Sequence, residues 1–145
     1  MLHHHPQFGT IWAAAGRVPP PYEQMGAMLP DEDIAIFDEY VGSVADAANA
    51  KANVAAVGSA RCALLAGHGV LVSGEDVRQA HFFATALETR CARAWHVEAI
   101  GGGLPPNPEG RQGLIDYARS MNYHLNNFWE YSVRQELRAD PGLLD

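Results

Sequence analysis

Cys62-Ala63-Leu64-Leu65-Ala66-Gly67-His68-Gly69-Val70-Leu71-Val72-Ser73-Gly74 is the stretch whose reading decides the fold. Apolar runs this short, bounded by turn residues, read as buried strands. The pattern predicts strands at 62–65 and 70–72, with Gly67-His68-Gly69 as the tight connection between them. His68 then stands at one end of a sheet, where a side chain from another strand can meet it.

The second source of such side chains is Leu2-His3-His4-His5-Pro6. Leu2 to His5 reads as a short strand ended by Pro6. Alternate side chains of a strand share a face, so His3 and His5 point together with their Cα atoms roughly 7 Å apart, and His4 points away. Two imidazoles aimed at one spot suit a metal ion. His68 would complete a three-histidine site with an open coordination position, the arrangement of catalytic rather than structural zinc. A histidine run beside Met1 can also be the remnant of a purification tag. Three histidines make a poor tag, however, and Pro6-Gln7-Phe8-Gly9-Thr10-Ile11-Trp12 follows without a linker.

Outward from these stretches the chain alternates helices and strands. Phe8, Ile11, Trp12 and Ala15 have helical spacing, which predicts a helix over 7–15 with Gly16 as its stop. Pro19-Pro20-Pro21-Tyr22 must be extended. Ile34-Ala35-Ile36-Phe37, flanked by acidic residues, reads as a short buried strand. Ser43 with Asp46 opens an alanine-rich helix over 44–57 that Gly58 ends. Ser73 with Asp76 repeats that signature before the longest helix, about 75–100, whose apolar stripe is Val77, Ala80, Ala84, Leu87, Cys91 and Ala94. Gly101 to Gly103 ends it. A helical region over 111–137 is expected in two pieces, broken around 120–127. No internal repeat or second domain is visible, so residues 1–145 form a single domain.

With 145 residues and 48% hydrophobic content the chain can bury a core. A net charge of -7 and a pI near 5.4 argue against nucleic acid or an anionic membrane as the main partner. An anionic small molecule would have to be held by local groups. Cys62 and Cys91 each sit in apolar surroundings and read as buried thiols of a reducing, cytoplasmic compartment. No stretch reaches the ~18 to 20 apolar residues of a membrane span.

Other chemistry-bearing residues have simpler readings. His81 and His96 on the long helix, and His124, read as solvated or satisfied. Tyr22, Tyr123 and Tyr131 are candidate proton donors that can equally serve packing. Asp31-Glu32-Asp33 reads as a solvated loop, and Arg17, Arg61 and Arg119 as surface salt-bridge partners. Phe128-Trp129-Tyr131 would dock the last helix, on its own core or on a neighbouring subunit. Gly101 to Gly103 follows a helix and so is no phosphate loop.

Leu2-His3-His4-His5-Pro6-Gln7-Phe8-Gly9-Thr10, Pro20-Pro21-Tyr22-Glu23-Gln24 and Leu64 to Gly74, followed by a helix with Ala86-Leu87-Glu88, resemble in order and separation the class II aldolase/adducin superfamily. The resemblance implies a three-layer α/β/α fold with a central, mainly antiparallel sheet. It also implies that His3, His5 and His68 bind a divalent metal, zinc first, with iron or manganese as alternatives. Such an ion would act as a Lewis acid toward a substrate carbonyl or hydroxyl pair. The family's ring-like tetramers place their sites between subunits, which makes Tyr22 a candidate catalytic hydroxyl and a homo-oligomer the expected assembly.

Family enzymes carry a further segment before the His-x-His strand, with an anion-binding stretch and an acid/base glutamate. This chain resembles only the C-terminal, larger part of such a protein, and an assembly or partner is expected to cover the sheet edge so exposed. The resemblance therefore implies a lyase for a small-molecule substrate, cleaving a C–C bond by aldol cleavage or decarboxylation. The alternative is a non-catalytic, adducin-like interaction module. Iron in the same site, for oxidative chemistry, is a third reading.

Overall fold

The computed structural model of the chain describes residues 1–38, 51, 54, 55, 57–120 and 122–143. Strand β1 (Leu2–His4) leads through Pro6 into helix α1 (Gln7–Ala15), which stops where Gly16 turns left-handed at φ 61°. The extended proline segment then carries the chain to the short helix α2 (Gln24–Ala27). The Glu23 carboxylate caps α2 by accepting from the Met25 and Gly26 N–H groups. A single 3-10 turn (Asp31–Asp33) precedes β2 (Ile34–Phe37). After β3 (Cys62–Leu65) and β4 (Gly69–Val72) come α3 (Val77–Ala99), α4 (Pro108–Ser120) and α5 (Leu125–Ala139). The helix expected over 44–57 falls largely outside the described residues; Lys51, Val54, Ala55 and Val57 are helical.

Among the described residues four strands lie in the order β1-β4-β3-β2. Two of the three pairings, β1 with β4 and β3 with β4, are antiparallel, and β2 joins β3 in parallel. One face of this mainly antiparallel sheet, with Cys62, Leu64, Val70 and Val72, packs against Trp12, Phe83, Leu87 and Cys91 of α1 and α3. The other face, with Ala35, Phe37, Ala63, Leu65 and Leu71, packs with helical Val57. The architecture is the expected α/β/α sandwich. Burial on both faces explains why β3 and β4 read as continuous apolar runs rather than as alternating ones.

Two details differ from the sequence expectation. Helix α3 starts at Val77 because Asp76, rather than Ser73, is its N-cap and accepts from the Gln79 N–H at 2.9 Å. Val77 is consequently in the first turn and 60% exposed, while Ala80, Ala84, Leu87, Cys91 and Ala94 are buried as expected. The acidic loop is not simply solvated. Asp31 accepts from Arg90 and, at 2.7 and 3.0 Å, from Arg111, and Asp33 lies 3.6 Å from Arg61.

Arg90 is the charged residue that the sequence hides. It is only 1% exposed, and its guanidinium donates to the Pro19 and Leu29 carbonyls at 2.7 Å each. It thereby ties the proline segment and the end of α2 to α3. The interval from Leu87 to Arg90 to Ala94 is the signal, since it places the arginine on the buried stripe of α3.

Candidate metal centre

Local chain geometry explains how three histidines come together. In the β3–β4 connection the His68 N–H donates to the Leu65 carbonyl at 3.0 Å, and Gly67 takes a left-handed φ of 66° that a side chain would resist. The antiparallel register sets His4 opposite Val70, so His5 arrives beside Gly69. A Cβ on Gly69 would lie 2.5 Å from His5 Cδ2 and 2.7 Å from the His4 carbonyl oxygen. The second glycine of the triplet is therefore the floor on which the His5 ring rests.

The three rings form a closed triangle. Their centroids are separated by 5.0 Å (His3 to His5), 4.7 Å (His3 to His68) and 4.9 Å (His5 to His68). One nitrogen from each lies within 4.8 Å of the others, and among the described residues this is the group of three His, Cys, Asp or Glu side chains so arranged. His3 Nδ1 is 2.9 Å from the Val70 carbonyl oxygen. A carbonyl can only accept, so neutral His3 carries its proton on Nδ1 and presents a lone pair at Nε2. That lone pair lies 3.1 Å from His5 Nε2. Two imidazole nitrogens so close need a proton or a cation between them.

The donor set fits a metal ion. Nitrogens each 2.0–2.1 Å from a tetrahedral ion are about 3.3 Å apart, close to the His3–His5 separation. A backbone carbonyl holding the remote ring nitrogen is the usual device that orients a ligating histidine. Burial, reinforced by the charges of His3 and His5, pulls the His68 pKa below its ordinary value, which favours the neutral, ligating form. His4 behaves differently. It lies opposite Val70, so it shares the α1/α3 face of the sheet, as the alternation requires. Its Nε2 is shielded from solvent and has no hydrogen-bond partner.

Support for the site comes from residues whose role the sequence did not disclose. Pro6 offers α1 no side-chain cap. Instead the Glu88 carboxylate accepts from the Phe8 and Gly9 N–H groups at 2.9 and 2.8 Å. This supplies negative charge where the helix dipole is positive and fixes the chain immediately after His5. Trp12 adds a second tie, donating from Nε1 to the Cys91 carbonyl at 2.9 Å.

Tyr22 is not joined to the triad by any hydrogen bond or ring contact. Its hydroxyl donates to Glu98 Oε1 at 2.7 Å near the end of α3, and that bond raises its pKa above the ordinary phenol value. His81 is satisfied by Ser132 Oγ at 3.0 Å, and His124 by the Tyr117 hydroxyl at 3.2 Å. Phe128 docks α5 on the chain's own core, whereas Tyr131 is exposed.

Comparison with known proteins bears on the family and the fold. A curated relative from Streptomyces roseochromogenus subsp. oscitans, 4-hydroxy-3-prenylphenylpyruvate oxygenase/4-hydroxy-3-prenylbenzoate synthase, is 29% identical over 72% of this chain and 38% of its own length. Decarboxylase NovR of Streptomyces niveus is 26% identical over 99% of the chain and 52% of its own length. The chain thus spans about half or less of the curated relatives it matches. Among solved structures, an aldolase II superfamily protein from Pseudomonas syringae superposes with a TM-score of 0.78 at 21% identity, covering 96% of this chain and 56% of that one. An L-fuculose 1-phosphate aldolase from Glaciozyma antarctica PI12 gives 0.68 at 15% identity, covering 92% and 50%. The model of the "Class II Aldolase and Adducin N-terminal domain" family matches residues 1–95, which contain all three histidines and the whole sheet, and the chain belongs to that family.

Proposed function

We propose that this chain serves a metal-dependent lyase that breaks a C–C bond, by aldol cleavage or by decarboxylation, in a small-molecule substrate. His3, His5 and His68 would hold the divalent ion, with zinc the first choice and iron or manganese the alternatives. The observation that carries the reading is the convergence of the three imidazoles, with the His3 tautomer set by Val70 so that Nε2 presents a lone pair. When bound, the ion supplies Lewis acidity toward the negative charge that develops on a substrate oxygen.

The chain's own residues orient that site. Val70 fixes the His3 ring, Gly69 makes room for His5, and Glu88 holds the first turn of α1 behind it. Relatives named as a decarboxylase and as fuculose-phosphate aldolases support a lyase, since both reactions leave a carbanion that must be delocalised onto oxygen. Tyr22 enters as a proton donor from a neighbouring subunit of a homo-oligomer, a tetramer in this reading, because within the chain no hydrogen bond or ring contact joins it to the triad and its hydroxyl donates to Glu98.

The test is metal content per chain on protein of verified intact mass, followed by product analysis. About one divalent ion per chain is expected, lost in His68→Ala, with a carbonyl product from a cleaved substrate. Stable self-association of a chain that retains no divalent metal would overturn the lyase reading in favour of an adducin-like interaction module.

A further inference from the structure

One carboxylate from the long helix stands behind both halves of the histidine triad. Glu88 of α3 extends its two oxygens to α1, Oε1 accepting from the Phe8 N–H at 2.9 Å and Oε2 from the Gly9 N–H at 2.8 Å. α1 has no cap of its own, since Pro6 offers no side-chain acceptor and the first turn holds no acidic residue. From that turn two routes lead to the histidines. Along the chain, Thr10 donates to the Pro6 carbonyl from its N–H at 3.0 Å and from Oγ1 at 2.8 Å, so the turn that Glu88 holds also grips the residue next to His5. Through space, Gly9 presses on Val70 so closely that a Cβ at Gly9 would lie 3.0 Å from Val70 Cγ1 and 2.7 Å from Pro6 Cγ. Val70 is the residue whose carbonyl holds His3 Nδ1 at 2.9 Å.

We propose that Glu88 is a positioning residue of the metal centre, setting His5 through Pro6 and His3 through Gly9 and Val70, although both its oxygens are engaged by the α1 backbone. The inference rests on the metal-site reading above and extends it to a side chain that the triad does not touch. Two acceptors at this length are what the role requires. Glutamine keeps the length and one acceptor, but turns the other contact into an N–H facing an N–H, and two donors repel. The first turn of α1 must then shift, and Pro6 and Gly9 move with it. Aspartate keeps both acceptors but is one methylene shorter, so it cannot hold both N–H groups at hydrogen-bond distance without moving α1. A residue that only stabilised the fold would leave the zinc affinity of the folded chain unchanged.

The experiment compares the full chain with Glu88→Gln and with Asp76→Ala. The latter removes a different helix cap, the bond from Asp76 to the Gln79 N–H, about 18 Å along α3 from Glu88. Zinc affinity is read by competition with a chromophoric chelator, ligand geometry by the absorption spectrum of the cobalt(II) form, and the Val70 bond by proton exchange at His3 Nδ1 in the metal-free chain. Glu88→Gln should bind zinc about tenfold more weakly, alter the cobalt spectrum and speed the His3 exchange. Asp76→Ala should lower the urea midpoint and leave all three at wild-type values. Glu88→Asp repeats the test should Glu88→Gln fold poorly. A folded Glu88 variant with wild-type zinc affinity and cobalt spectrum would overturn the positioning role and leave the metal site standing. An equal loss of affinity in Asp76→Ala would also overturn it, by reducing Glu88 to fold stability. A wild-type chain that binds no zinc refutes the metal site, and this inference with it.

Discussion

Gly69→Ala isolates the link between the turn and the metal site. The new methyl carbon would stand 2.5 Å from His5 Cδ2, 2.7 Å from the His4 carbonyl oxygen and 3.2 Å from His5 Nε2. Comfortable carbon–carbon contact begins near 3.5 Å, so the His5 ring must retreat by about 1 Å. Displacing one of three ligands by that amount should weaken zinc binding at least as much as losing an orienting partner does. The expected loss is about 10- to 100-fold, or about 1.4–2.8 kcal/mol. Overpacking adds about 1–3 kcal/mol of destabilisation. Zinc affinity is read by competition with a chromophoric chelator, and folding by urea titration of the metal-free chain, so that the two effects separate. A folded Gly69→Ala protein with wild-type zinc affinity would refute the placement of His5 on Gly69 and with it the three-ligand geometry.

Arg90→Met should destabilise the metal-free chain by about 2–4 kcal/mol in urea unfolding, because it leaves the Pro19 and Leu29 carbonyls without their buried donor, while Asp31 keeps its bonds from Arg111. Asp31 provides a pH signature. Burial alone would raise its pKa, but hydrogen bonds from Arg111 and Arg90 and their charges outweigh this and hold it below the ordinary carboxylate value of 3.8. Its contribution to stability is therefore complete above that value and is lost as pH falls through the depressed folded-state value. Urea midpoints measured between neutral pH and pH 3 should fall less steeply in Asp31→Asn than in the wild type; parallel curves would show that the arginine pair contributes nothing.

Much of the fold was legible in the residues themselves. The 62–65 strand, the 7–15 helix with its Gly16 stop and the break of the C-terminal helical region near 120 all follow from short-range chemistry: apolar run length, helical spacing and left-handed glycine. Ser73 is a plausible cap that the structure leaves unused in favour of Asp76. Serine and aspartate compete for the same backbone donors, and only the path of the chain after β4 selects Asp76. Asp31 and Asp33 looked solvated because arginines that neutralise them lie 59, 80 and 28 residues away in sequence.

The sequence by itself determined that His3 and His5 share a face and that His68 stands on a glycine-flanked turn, since both follow from strand alternation and local backbone freedom. Only the tertiary structure decided that these meet. The antiparallel register His4 to Val70 carries the first strand to the turn, and Val70 then fixes the proton of His3. The Glu88 and Arg90 contacts belong to the same class of result. Register, capping across elements and burial are contacts between residues distant in the chain, and no local spacing encodes them.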